Sequence, residues 1–229
     1  MANARFRNDL SLPTLNIITG FHRSGTSCLA GMLFHSGLPM GRIEDFLKAN
    51  PNNEKGFYEH KTFVALNRRL VPSTWPDKLT EEVESNLGVE MNKAPHGIMV
   101  KDPRFCLTLR YWRHYRSIDK IIVVLRKPTE CVASLTKRGD KADKPFEWYY
   151  SFYLSSLCIE LEDRDWCALS YDEMIEEPSS ALSRIEQYLE RPLNVKEGLA
   201  FVDLRLRHQY SNRSCPWPEP ARRLLDSPF

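Results

Sequence analysis

The chain has 229 residues, 42% of them hydrophobic, and a formal net charge of +2. That is long enough for a substantial core and too weakly basic for bulk nucleic-acid binding, so anion affinity has to come from a local pocket. The six cysteines form no C-x-x-C pair and no metal-ligand spacing, the usage of small core residues in a reduced, cytoplasmic protein. Residues 1–13 lack the apolar core of a signal peptide, and no run approaches the length of a membrane span. The expectation is one α/β domain over residues 1–229.

In chain order, residues 15–19 (LNIIT) predict a short buried strand. Gly20 to Ser27 (GFHRSGTS) follows, and residues 27–35 predict a helix with Leu29, Met32 and Leu33 on one face. Strand, glycine-bounded loop and helix make a phosphate cradle. The glycines let backbone N–H groups turn inward, and the helix's unpaired amides and dipole point at the same spot. The octet fits G-x-x-x-x-G-[KT]-[ST], with Thr26 where a Walker loop has lysine.

Residues 50–56 (NPNNEKG) form a loop long for a plain connection, which hints at function. Glu59 stands at the entrance of a helix with apolar positions Phe63, Leu66 and Leu70. It is either a first-turn carboxylate favoured by the helix dipole or a group with a chemical role. Residues 71–97 are polar and irregular, with a short helix over 80–91, and read as an insertion or a lid. Residues 98–100 (IMV) predict a second strand, ending in Lys101-Asp102-Pro103-Arg104, where parallel sheets place ligands. A helix with Leu107, Leu109, Tyr111 and Trp112 leads to residues 120–126 (KIIVVLR), apolar enough to be central in the sheet. Arg126 ends that strand, and a helix opening at Lys127-Pro128 carries Ser134, within reach of the same phosphate.

Residues 136–145 (TKRGDKADKP) predict a basic loop, either solvated surface or a gate over an acceptor. Residues 146–162 predict a long helix whose aromatics, Trp148 to Tyr153, favour core over ligand platform. Another strand spans 166–170 and ends in Tyr171-Asp172-Glu173-Met174. An amphipathic helix with Leu182, Ile185 and Leu189 follows from Glu177-Pro178. Beyond Leu193 come a short helix, a tail over 205–213 and a proline-rich piece to which the pattern assigns no element. The alternation predicts an α/β protein: a P-loop-type three-layer α/β/α with a central parallel sheet.

A nucleoside triphosphate enzyme needs the loop lysine and an Asp ending an apolar strand to hold Mg²⁺. Here Thr26 replaces the lysine and Arg126 ends the best strand. A donor with a phosphate at each end of its ribose fits better. With these features the sequence resembles the sulfotransferases that use 3′-phosphoadenosine 5′-phosphosulfate (PAPS). Gly20–Ser27 looks like their 5′-phosphosulfate loop, in the R-S-G-T-[ST] form of bacterial, Golgi and tyrosylprotein members. Arg126 with Ser134, in R-K-P-T-E-C-V-A-S, looks like their 3′-phosphate pair. Lys101-Asp102-Pro103 is similar to the K-D-P of tyrosylprotein and many bacterial members, and Tyr171-Asp172-Glu173-Met174 resembles Y-E-D-[LM].

The resemblance spans roughly residues 14–190. It implies PAPS as donor, held by His22, Arg23, Ser24, Gly25, Thr26, Ser27, Arg126, Ser134 and Tyr171, with Arg207 and His208 as candidates for the adenine-side loop. It implies sulfuryl transfer to the hydroxyl of a glycan, lipid or small molecule. No metal is required, because the transferred group carries less negative charge than a phosphoryl and Arg23, Lys101 and loop amides can neutralise the leaving phosphate. The acceptor's proton needs a base, and Glu59 and Glu44 compete, with His60 and His35 behind them. Glu44 lies at a separation from Arg23 like that of the tyrosylprotein enzymes' catalytic glutamate. Glu59 stands, as that glutamate does, at a helix mouth after a glycine-bearing turn. Glu59 is preferred, since reach to the acceptor outweighs linear spacing. A P-loop kinase of a small metabolite and an inert nucleotide-binding member are the alternatives.

Overall fold

The computed structural model describes residues 12–51, 53–73, 81–203 and 216–226. Among these, four strands form one parallel sheet: β1 (Thr14–Thr19), β2 (Met99–Lys101), β3 (Ser117–Leu125) and β4 (Cys167–Ser170), in the order β2-β1-β3-β4. From Ile121 to Leu125 β3 is buried on both faces because that stretch has no polar side to show, whereas Asp119 near its start is exposed. Ile121, Val123 and Leu125 enter the core on one face, Ile122 and Val124 on the other. Each such side chain contributes about 1.5–3 kcal/mol relative to exposure.

The first face is covered by α2 (Lys61–Ser73), α3 (Glu81–Lys93), α4 (Phe105–Trp112), α5 (Pro128–Arg138), α6 (Phe146–Leu161) and α10 (Glu219–Leu225). The second carries α1 (Thr26–His35), α7 (Tyr171–Glu176), α8 (Pro178–Leu189) and α9 (Val195–Phe201). This is the three-layer α/β/α arrangement that the alternation predicts. Among the described residues no helix is long and apolar enough to cross a membrane.

Several boundaries differ from the sequence expectation. The stretch read as a basic loop from Thr136 is helical as far as Arg138, where Gly139 takes φ 83° and ends α5. Tyr171 to Met174 do not end a strand. They open α7, because the Ser170 hydroxyl accepts the Glu173 N–H at 3.1 Å and caps a helix there. The proline-rich piece supplies the start of α10, with Pro218 as its cap and Pro220 in its first turn. The aromatic row of α6 divides: Tyr150 and Tyr153 are buried, whereas Trp148 is 42% exposed and stacks on Phe152 at 5.0 Å. Arg207 and His208 lie outside the described residues.

β1 has β2 on one side and β3 on the other, so the chain changes direction across the sheet at β1. The crevice beyond the carboxyl ends of the strands at such a switch point is where open α/β sheets take ligands. The end of β2 is locked in place by a buried polar network. Thr19 Oγ1 donates to the Asp102 carbonyl at 3.1 Å. The Asp102 carboxylate accepts from Asn67 Nδ2 and from Arg104, both at 3.0 Å. Asn67 Oδ1 in turn accepts from Thr108 at 2.8 Å and from the Trp112 indole at 2.7 Å.

Asn67 therefore satisfies three buried partners with one amide. Asn67→Ala should lower the unfolding free energy by about 2–4 kcal/mol, since each orphaned group bears its own desolvation cost. Urea unfolding checks this, and a loss under about 0.5 kcal/mol would contradict it.

Candidate active site

The loop between β1 and α1 is shaped by contacts as well as by glycine freedom. Gly20 has φ 147°, and a Cβ there would lie 2.2 Å from the Val124 carbonyl oxygen. Gly25 has φ 101°, and a Cβ would meet the Tyr171 ring at 2.3 Å. Arg23, with φ 67°, takes a left-handed conformation without being glycine, at a cost of roughly 1–2 kcal/mol. The Ser24 N–H closes the turn on the Phe21 carbonyl at 3.1 Å. The first-turn amides of α1 have no carbonyl four residues earlier to bond. The Ser24 hydroxyl is buried with no hydrogen-bond partner among the described residues.

An open cleft lies over this loop. His22, Arg23, Gly25, Thr26 and Ser27 line it, together with Glu59, Lys101, Arg126, Arg138 and Tyr171. Three guanidiniums converge there. Burial, with the charges of Arg138 and Arg126, pushes the Arg23 pKa down from its ordinary value. Arg126 sits 4.3 Å above the Tyr171 ring, donates through Nε to Glu130 at 2.8 Å, and reaches the Arg23 carbonyl at 3.4 Å. Arg138 is held by Asp140 at 2.9 Å.

Arg126 and Ser134, the expected phosphate pair, both contact Arg23. Ser134 is not among the residues lining the cleft, and its hydroxyl accepts from Arg23 Nε at 2.8 Å. Ser134 therefore orients Arg23, and Glu130 orients Arg126. The second contact links residues only four apart in sequence, Arg126 just before α5 and Glu130 in its first turn.

Glu59 and Lys101 meet directly, with the ammonium donating to Glu59 Oε1 at 2.7 Å; the Lys101 side chain is 1% exposed and that of Glu59 10%. Burial pushes the Glu59 carboxyl up, but the charge and hydrogen bond of Lys101, with Arg104 and His22, outweigh it and hold the pKa below the usual carboxylate value. His22 moves the same way for another reason. Burial, then the Arg104 charge, lowers it to about 4, so it is neutral near pH 7. Glu59 is aimed by its neighbour Tyr58, which has φ 52° and packs against Phe34, Phe46 and Phe201.

The other candidate bases lie elsewhere. Glu44 belongs to a short 3-10 turn (Ile43–Asp45), is 64% exposed in its side chain and pairs with Arg42 at 3.2 Å. It borders a separate apolar pocket, not the cleft. His35 stacks on Phe201 at 5.0 Å, and His60 Nδ1 accepts the Thr62 N–H at 3.3 Å. Neither lines the cleft.

The long loop flagged in the sequence forms one wall through Pro51, Asn53, Glu54 and Lys55. Lys55 ties that wall to the end of α9. It bonds the Phe201 carbonyl, lies 4.7 Å above the Phe201 ring and pairs with Asp203 at 3.9 Å. The sequence reading singled out neither Lys55 nor Arg138. The loop's length was the signal for the first, and Gly139, as a helix stop, for the second. Among the described residues no group of three or more His, Cys, Asp or Glu side chains is placed to hold a metal ion. Such a site can bind an anion with two separated negative groups and can take a proton on one buried carboxylate.

Neither a family model nor a curated protein matches the chain. Solved structures do. The sulfotransferase STF9 from Mycobacterium avium is similar over 89% of this chain and 70% of its own, with 13% identity and a TM-score of 0.56. The sulfotransferase domain of the Synechococcus PCC 7002 olefin synthase is similar over 87% and 81%, with 18% identity and a TM-score of 0.50. A sugar kinase from Janibacter sp. HTCC2649 is more remote, over 78% and 95%, with 13% identity and a TM-score of 0.42, which carries no argument. At these identities the likeness establishes the fold: a central parallel sheet flanked by helices, shared with sulfotransferase domains.

Proposed function

We propose that this chain is a sulfotransferase that moves the sulfuryl group of PAPS to an acceptor hydroxyl. The observation that carries the reading is the buried Glu59–Lys101 pair beside a phosphate-type loop with no loop lysine. The site suits the donor. The orphaned Ser24 hydroxyl calls for a ligand oxygen, and the convergent guanidiniums of Arg23, Arg126 and Arg138 call for negative charge. The loop amides, Thr26, Ser27 and Arg23 would hold the 5′ end, and Arg126 the 3′-phosphate, above Tyr171.

The donor supplies an activated sulfuryl group. The acceptor oxygen bonds to sulfur, the bond from sulfur to the 5′-phosphate oxygen breaks with its electron pair staying on the phosphate, and Glu59 takes the hydroxyl proton. Lys101 has two tasks. It keeps Glu59 ionised at rest, and its ammonium offsets negative charge growing on the leaving oxygen. For the kinase alternative, the carboxylate that directly follows a strand among the described residues is Asp102. It is fully buried against Asn67 and Arg104, away from the cleft lining.

Donor recognition is testable with 3′-phosphoadenosine 5′-phosphate (PAP). Arg126→Gln, which keeps a partner for Glu130, should weaken PAP by about 2 kcal/mol and leave adenosine 5′-phosphate nearly unaffected. Ser134→Ala should act on both ligands, because it releases Arg23 at the 5′ side. Calorimetry reads both, and a 3′-phosphate preference that survives Arg126→Gln contradicts the assignment.

Glu59→Gln should lower turnover by about 10²-fold or more while PAP affinity stays near wild type, and Glu44→Gln should keep full rate. The base must be ionised and its pKa lies below the ordinary 4.5. The rate should therefore stay level as pH falls from about 7 to about 5, and drop only below the usual glutamate range. An acid limb near neutral pH in the kcat/KM profile would contradict Glu59 as the base.

A further inference from the structure

A second depression joins the cleft on the side away from Lys55. It lies between the phosphate loop, the end of α5 and the start of α6, and it shares His22 and Arg138 with the cleft. Its walls are aromatic: Phe146, Tyr149 and Tyr153, over Phe21. Phe21 meets Tyr153 edge-on at 5.4 Å, which fixes the floor. On its rim, Arg138 and two carboxylates are already engaged, and Lys141 is exposed. Arg138 bonds Asp140, and the Tyr149 hydroxyl donates to Asp143. At the inner end, Tyr153 Oη and His22 Nε2 lie 3.4 Å apart, a polar edge without net charge because the imidazole is neutral. His22 also lies within electrostatic range of Glu59.

We infer that this groove is the acceptor subsite and that it takes a planar, hydroxyl-bearing ring: a phenol, rather than an open-chain alcohol or a sugar. The inference rests on the sulfotransferase reading and names its acceptor class. Flat aromatic walls gain most from a flat partner. The ring lies between Tyr149 and Tyr153, and its hydroxyl points past His22 toward Glu59. The apolar pocket near Phe34 and Phe46 is the weaker choice. It meets the cleft at Lys55, Gly56 and Phe57, where Lys55 is bound to Phe201 and Asp203.

The test runs PAPS with 2-naphthol, 1-hexanol or methyl glucoside on the full chain, with PAP calorimetry alongside. Wild type should favour 2-naphthol by about tenfold or more in kcat/KM. Tyr149→Ala should raise KM for 2-naphthol about tenfold, and Ala142→Trp, which fills the groove from an exposed position, should do the same. PAP affinity should be unchanged in both variants. If PAP binds but transfer goes to hexanol or the glucoside, goes to none of the three, or ignores Ala142→Trp, the acceptor inference is overturned and the donor reading stands. If PAP does not bind to wild type, the donor reading fails and takes the inference with it.

Discussion

Lys101 and Glu59 face each other at 2.7 Å where solvent scarcely reaches, and neither charge is tolerable there alone. Removing one partner of such a pair leaves the other buried and uncompensated, at a cost of about 3–5 kcal/mol. Much of the surrounding structure serves to bring the two together. Lys101 is the last residue of β2, whose end is tied to β1 through Thr19 and to α2 and α4 through Asp102, Asn67 and Thr108. Glu59 arrives from the other direction, on a backbone strained at Tyr58 and gripped by aromatic rings. Strain of this kind persists only where packing over-determines it, and it gathers where side chains must be aimed.

The cation cluster around the loop obeys the same logic with the opposite sign. Burial first, then the charges of Arg138 and Arg126, depress the Arg23 pKa, against the opposing charge of Asp140. The whole chain carries only +2, so this is a local field in a cleft and not a property of the surface. Glu130 and Ser134 hold two of the arginines in position before any ligand arrives, which reduces the ordering cost of binding.

The fold was legible because its signals are local and strong. A short, β-branched apolar run such as residues 121–125 fits a strand buried on both faces, and a glycine-bounded loop between strand and helix fits a phosphate cradle. The residues of the site were legible as types, less so as partners. Sequence spacing suggested that Arg126 and Ser134 share a ligand, but it gave no sign that Ser134 also contacts Arg23. The aromatic row on α6 looked uniform, yet a helix turns its side chains through every direction, so Tyr153 meets His22 while Trp148 stays exposed. Choosing between Glu44 and Glu59 needed three dimensions, since the loop between them folds one out to solvent and the other inward.

The most direct measurement of the central claim is calorimetry of the full chain with PAP, adenosine 5′-phosphate and ATP, in EDTA and again with Mg²⁺. The account predicts that PAP binds at least about thirtyfold more tightly than either other ligand, with and without the metal, about 2 kcal/mol of discrimination. ATP binding that exceeds PAP and depends on Mg²⁺ would contradict it.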